Sequence, residues 1–212
     1  MASGKFITIE GGEGTGKSTQ ARLLAEKLEQ NGLSVLNTRE PGGSERAEHI
    51  REFMLSEKAE DIGVLAEAIL FSAARDDHLE TAIKPALKAG KWVVCDRFAD
   101  SMRAYQGAGA LDDDLIEALE RIVVGQTVPD LTLIIDLSAE EGLKRARERA
   151  KVSGAPTDGF EARAITFHER LQQAFLEIAA AEPDRCMLID GSRDQEGVAQ
   201  TIWNVVETRL AP

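Results

Sequence analysis

The octet Gly11 to Ser18, GGEGTGKS, follows the apolar run Lys5 to Glu10 (KFITIE) and opens a helix-period segment. Gly11, Gly16, Lys17 and Ser18 fit the spacing G-x-x-x-x-G-K-[ST]. In such a strand–loop–helix unit the glycines let backbone N–H groups turn inward around phosphate oxygens, and the helix adds its positive N-terminal end. Lys17 brings a point charge to the β- and γ-phosphates, and the Ser18 hydroxyl is a ligand for Mg²⁺. Gly12, Glu13, Gly14, Thr15 and Thr19 complete the stretch expected to line the ATP phosphates. Glu13 is the odd member, because a carboxylate among anion-binding amides repels a triphosphate unless it points away. It reads either as a solvated loop acid or as a group facing the acceptor, where it takes a hydrogen bond from a hydroxyl.

A P-loop needs a strand buried on both faces, and the rest of the chain supplies the neighbours. Ser34 to Thr38, Lys91 to Asp96 (KWVVCD), Leu131 to Leu137 (LTLIIDL) and Arg185 to Asp190 (RCMLID) are short and rich in Val, Ile and Leu. Helical patterns lie between them: Lys17 to Gln30, Ser44 to Leu55, Val64 to Ala89, Asp112 to Val124, Ala139 to Lys151, Phe160 to Ala181 and Gln195 to Arg209. Gly32 and Gly90 mark helix ends, and Pro85 is expected to kink or split the third helix. This alternation predicts an α/β fold, a mostly parallel sheet with right-handed crossovers and ligands at the carboxyl ends of the strands. The segment Ala150 to Gly159 (AKVSGAPTDG) breaks the helical pattern, and reads equally as a surface connection or as a lid over a nucleotide.

With 212 residues the chain suffices for one well-buried domain. Its formal charge of −12, from 25 basic and 37 acidic residues, argues against a nucleic-acid or anionic-membrane surface. No apolar run reaches the roughly 20 residues of a membrane span, and the start lacks the features of a signal peptide. A cytoplasmic location is expected. Cys95 and Cys186 lie in apolar runs and read as buried thiols. His49, His78 and His168 show no ligand spacing and receive no role.

Against that acidic background the arginines are informative. Asp96-Arg97 closes a central strand, where a carboxylate holds Mg²⁺ through water and a guanidinium clamps a phosphate. An ion pair at a strand end is the plainer alternative. Arg39, Arg51 and Arg75 also sit at element ends or on early helices; with Arg97 they suggest a local sink for a second anionic substrate.

With these residues in place, the chain resembles the bacterial thymidylate kinases, within the nucleoside monophosphate kinase group. The resemblance rests on IEGGEGTGKSTQ (Ile9 to Gln20), TREPGG (Thr38 to Gly43), Ile50-Arg51, LFSAARDDH (Leu70 to His78), DRF (Asp96 to Phe98), SMRAYQG (Ser101 to Gly107), PDLTLIIDL (Pro129 to Leu137) and GLKRARER (Gly142 to Arg149). TREPGG and the DR…AYQG block discriminate, since many families share a P-loop. The resemblance implies a three-layer P-loop NTPase fold in one domain over 1–212, with five parallel strands, helices on both faces and a short lid at about 143–160. It implies transfer of the γ-phosphoryl group of ATP to dTMP with Mg²⁺, by a homodimer whose long helix Val64 to Ala89 is a plausible contact. By position, Phe71 would stack on thymine, Arg75 and Gln106 would bond its edge, and Tyr105 would pack under the sugar that Glu13 faces. Arg51 and Arg97, with Arg39 nearby and Ser101 alongside, would hold the dTMP phosphate. Lys17, Asp96 and Arg97 would serve catalysis, with Ser18 and Asp96 at the metal and Arg145 at ATP.

Three departures matter. Met102 stands where many relatives have a small polar residue, which shifts base recognition toward Gln106. Gly14 stands where some relatives carry a P-loop arginine, and the lid reads Asp158-Gly159-Phe160-Glu161 without the arginine that relatives often place there. The charge over the γ-phosphate must then come from Arg145, Arg147, Arg149 or Lys151, and Arg149 is assigned to it. The alternatives are a P-loop kinase for another nucleoside or nucleoside monophosphate, which would lack TREPGG, and a GTPase-like switch, against which no Asn-Lys-x-Asp run occurs.

Overall fold

The computed structural model describes residues 4–59, 62–109, 111–153, 161 and 163–212. Five strands form one parallel sheet: β1 (Phe6–Glu10), β2 (Val35–Arg39), β3 (Trp92–Asp96), β4 (Leu131–Asp136) and β5 (Cys186–Asp190). Their spatial order is β2-β3-β1-β4-β5. All five were legible as Val-, Ile- and Leu-rich runs, and no end differs by more than one residue. The connection leaving β1 runs toward one edge of the sheet, while those leaving β3 and β4 run toward the other. The carboxyl ends of the central strands therefore border a crevice.

The two-residue period of a strand decides what each side chain meets. Ile7 and Ile9 of β1, Val94 of β3 and Leu131, Leu133 and Ile135 of β4 face α1 (Lys17–Gln30) and α9 (Gln195–Leu210). On the opposite face Phe6, Val93 and Cys95 pack with Leu79, Ile83 and Phe98. Ile134 and Cys186 pack there with α5 (Ala99–Ala108) and α8 (Ile165–Ala181). By the same alternation Asp96 points with Val94 toward α1, whereas Thr8 and Glu10 point with Phe6 toward α5. Cys95 and Cys186 are free and buried, as read from sequence.

Three helical expectations change. The helix expected over Val64 to Ala89 is α3 (Val64–His78), a π-helical turn (Leu79–Ile83) and α4 (Lys84–Lys88), with α2 (Glu45–Met54) packed on α3. Of the two outcomes expected of Pro85, the helix is split ahead of it rather than kinked through it. Pro85 sits in the first turn of α4, and the ladder widens just before it because its nitrogen has no hydrogen to donate. The helix expected from Phe160 starts at Ile165, leaving Glu161 in a turn. Finally, α5 was not foreseen at all. Its buried side includes Asp100 and Gln106 beside Met102, Ala104 and Tyr105, so no apolar stripe announces it. The helices α6 (Asp113–Val123) and α7 (Ala139–Ser153) complete the fold. Of the expected lid, residues 154–160 lie outside the described residues.

The P-loop turns where glycine permits, with φ of 136° at Gly11, 69° at Gly14 and 93° at Gly16. Gly14 also lies against α7: a Cβ there would fall 1.9 Å from the carbonyl oxygen of Gly142. In return, a Cβ on Gly142 would fall 2.4 Å from the carbonyl oxygen of Glu13.

Candidate active site

A cleft of about 370 Å³ opens at the carboxyl ends of β1 and β3. On its P-loop side Lys17 Nζ donates to the Gly12 carbonyl at 2.6 Å and to Thr15 Oγ1 at 3.4 Å, and Thr15 Oγ1 donates to the same carbonyl at 3.1 Å. Ser18, in the first turn of α1, donates its hydroxyl to Asp96 Oδ2, the contact that the alternation of β3 prepares. Asp96 Oδ1 is buried and has no hydrogen-bond partner among the described residues. Burial and the neighbouring Arg97 lower the Lys17 ammonium to about 8, with Glu13, Asp96 and Glu10 opposing.

Across the cleft, Arg97 has φ 69°, a left-handed conformation that costs a non-glycine residue about 1–2 kcal/mol. That turn lets its backbone N–H donate to Ile9 while the guanidinium returns over the P-loop. Arg97 donates to Glu13 Oε1 at 2.8 Å, to the Ser101 hydroxyl at 3.2 Å and to the Gly11 carbonyl at 3.3 Å. The Tyr105 hydroxyl also donates to Glu13 Oε1, and the guanidinium lies 4.9 Å from the centre of the Tyr105 ring. Burial alone would raise the Glu13 carboxyl, but Arg97, Lys17 and the Tyr105 hydroxyl outweigh it and hold it at about 2. Burial likewise works against the Arg97 charge, yet Tyr105, Glu13 and Asp96 leave it held more tightly than in a free arginine. Glu13 is therefore not a solvated loop acid.

The far end of the cleft is formed by Phe71, Phe98, Met102, Gln106 and Arg75. Arg75 is buried and fixed by three acceptors: Glu40 Oε2 at 2.7 Å, the Phe98 carbonyl at 2.9 Å and Met102 Sδ at 3.6 Å. The other Glu40 oxygen lies 3.1 Å from His78 Nδ1, and His78 Nε2 lies 2.8 Å from the Thr38 hydroxyl. Sequence reasoning missed Glu40 and gave His78 no role, because their partners lie 35 to 40 positions away. The signal that was available is a Glu next to Arg39 in TREPGG and a His three residues beyond Arg75. Gln106 is 1 % exposed, and neither of its amide atoms has a hydrogen-bond partner among the described residues.

The remaining expected residues divide. Arg51 lines the cleft and donates to the Pro41 carbonyl at 2.9 Å. Arg39 and Thr19 line it too, but Arg39 is half exposed and tied to both Glu48 oxygens at 3.0 and 2.9 Å. Arg149 borders the cleft from α7 and donates to Glu161 at 2.7 Å. Arg145 is not brought to this cleft. It donates to Glu141 at 3.2 Å and to the Gly191 carbonyl at 3.1 Å, beside the end of β5.

Comparison with known proteins agrees with this geometry. A thymidylate kinase family model matches residues 9–202. The chain belongs to the thymidylate kinase family. A thymidylate kinase of Bradyrhizobium diazoefficiens is 52% identical over 210 residues, 99% of this chain and 91% of that protein. One of Rhodopseudomonas palustris is 54% identical over 209 residues, covering 98% and 90%. The crystal structure of thymidylate kinase from Ehrlichia chaffeensis superposes with a TM-score of 0.75 at 33% identity, covering 97% of this chain and 99% of that one. The fold is accordingly the P-loop NTPase fold, and the activity is phosphorylation of dTMP to dTDP.

The depressed Lys17 value has a consequence for stability. Between about 8 and its ordinary 10.5 the unfolded chain holds this proton and the folded chain does not. Stability from this group therefore rises with pH across that window, and below it the buried charge is destabilising in full. Relative to Lys17→Met, the native protein should gain roughly 2–3 kcal/mol between pH ~7.5 and ~10 in urea unfolding. A difference independent of pH would show that Lys17 titrates normally.

Proposed function

We propose that the γ-phosphoryl group of ATP passes to a phosphate oxygen of dTMP within this cleft, leaving ADP and dTDP. The observation that carries this assignment of sites is the placement of two cations, Lys17 at the start of α1 and Arg97 just after β3, both acting on Glu13. Lys17 and the P-loop from Gly11 to Thr19 hold the donor. Arg97 and Arg51, with Arg39 at the rim and Ser101 behind Arg97, hold the acceptor phosphate. Both attacking and leaving groups are already anionic, so alignment and charge neutralisation do the catalysis and no strong base is required.

Phe71 stacks on the base in this reading, while Arg75 donates to a thymine carbonyl and Gln106 pairs with the base edge. The support is that Arg75 is immobilised by Glu40 and that Gln106 brings two unpaired amide atoms. Met102 contributes only a thioether, so the polar work falls on those two. Tyr105 and Glu13 form the wall beneath the sugar.

Mg²⁺ fits the residues present: the unpartnered Asp96 Oδ1 and the Ser18 hydroxyl beside it would hold the ion or its water. When bound it neutralises charge on the donor phosphates. The lid is assigned to the end of α7 and the residues just beyond it, with Arg149 over the γ-phosphate and Arg145 toward the rest of ATP. Support for Arg149 is its place at the cleft margin, where it donates to Glu161. No helix among the described residues is long and apolar enough to cross a membrane. We place the enzyme in the cytoplasm, without a nucleic-acid or membrane partner. We further infer a homodimer through α3, on which Leu65 and Ile69, one turn apart, are each about half exposed.

A coupled ADP-release assay tests the assignment: dTMP should accelerate ATP turnover far more than dAMP, dGMP, dCMP or UMP, and EDTA should abolish it. Equal turnover with all acceptors, or none with dTMP, would sink it. Arg149→Ala should lower kcat by at least about 10³-fold with a much smaller rise in the KM for dTMP; an unchanged kcat moves the lid charge to a neighbour. In sedimentation velocity the native protein should run as a dimer and Ile69→Asp as a monomer, and a monomeric native protein removes the α3 interface.

A further inference from the structure

Glu10 is the last residue of β1 and is fully buried, yet it does not line the cleft. The alternation that sends Ile7 and Ile9 toward α1 sends its carboxylate under the first turn of α5. There its two oxygens are divided. Oε1 accepts from the backbone N–H of Phe98 at 2.7 Å, and Oε2 accepts from the Ser101 hydroxyl at 2.6 Å. Phe98 is the N-cap residue of α5 and has no side-chain acceptor for the helix's opening donors. Glu10 supplies that acceptor from a neighbouring strand, with the favourable sign for a helix N-terminus.

Both bonds converge on one residue. The Phe98 N–H belongs to the peptide that immediately follows Arg97, so its bond to Glu10 pins the left-handed turn at φ 69°. The Ser101 hydroxyl that donates to Glu10 accepts from Arg97 Nη1 at 3.2 Å. One carboxylate thus fixes the Arg97 backbone directly and its guanidinium through Ser101. The charged groups around Glu10 are Arg97, Asp100 on α5 and Lys17 on α1. Burial, then Asp100, raises the Glu10 carboxyl to about 7. A buried acid in such surroundings is costly to keep where an apolar side chain would serve packing alone.

We propose that Glu10 is a positioning residue for the acceptor phosphate, acting through Arg97 and Ser101 without touching either substrate. This rests on the assignment of Arg97 to the dTMP phosphate, and the test separates the two. Calorimetric titration of thymidine and of dTMP into the same protein isolates the contribution of the phosphate as a ratio of dissociation constants. The native protein should bind dTMP much more tightly than thymidine; equal binding would overturn the assignment of Arg97 itself. In Glu10→Ala the ratio should fall about tenfold, on the order of one buried hydrogen bond lost, while thymidine affinity and the KM for ATP stay within about twofold. Glu10→Gln, whose amide oxygen can accept from Phe98 N–H and whose NH₂ can donate to Ser101, should recover most of the ratio. An unchanged ratio in Glu10→Ala, or equal weakening of thymidine and dTMP, overturns the proposal. If Glu10→Ala does not fold, Ser101→Ala is read instead: a native ratio there also overturns it.

Discussion

The pairing of Arg97 with Glu13 is the interaction on which the site depends. A chain of net charge −12 must bind two polyanions, so its positive charge has to be concentrated in one cleft and held in a fixed direction. Left alone, clustered guanidinium and ammonium groups repel one another and swing into solvent. Here each is tethered: Arg97 to Glu13, Arg75 to Glu40, Lys17 to a P-loop carbonyl, Arg51 to the Pro41 carbonyl and Arg149 to Glu161. The acid in the P-loop, which looks out of place among anion-binding amides, holds the Arg97 guanidinium in one direction over the loop.

Tethering determines how the fold is used. The sheet does not merely bring residues near; the parity of each strand sorts them. Asp96 leaves β3 toward α1 and meets Ser18, while Glu10 leaves β1 on the opposite face and meets α5. Two carboxylates at the ends of adjacent strands, in register through Ile9 and Asp96, therefore leave the sheet on opposite faces, one toward α1 and the other toward α5.

The strands, the P-loop and the arginine cluster were legible in the sequence because their signals are local. A β-run buried on both faces is apolar whatever surrounds it, and a phosphate cradle requires glycine at fixed spacing. The helix α5 was not legible, since Asp100 and Gln106 break the apolar pattern of its buried side and find their place only in three dimensions: Asp100, for example, receives Arg185 from the start of β5 at 2.7 and 3.0 Å. The Glu40–His78–Thr38 chain was missed for the same reason. The residues are in plain view, but only tertiary packing shows that one carboxylate serves both Arg75 and His78. The left-handed turn at Arg97 defeats sequence reading more thoroughly, because arginine carries no preference for it.

The close approach of Gly14 to Gly142 limits how charge can be placed around the site. Any side chain at position 14 must first displace the backbone of α7, the helix that carries Arg145 and Arg149. With α7 at this distance the loop has no room for a side chain at position 14, and the arginines beside it come from the helix. The two glycines in contact thus set how closely α7 lies against the loop, and a side chain added at either would move the helix and its arginines together.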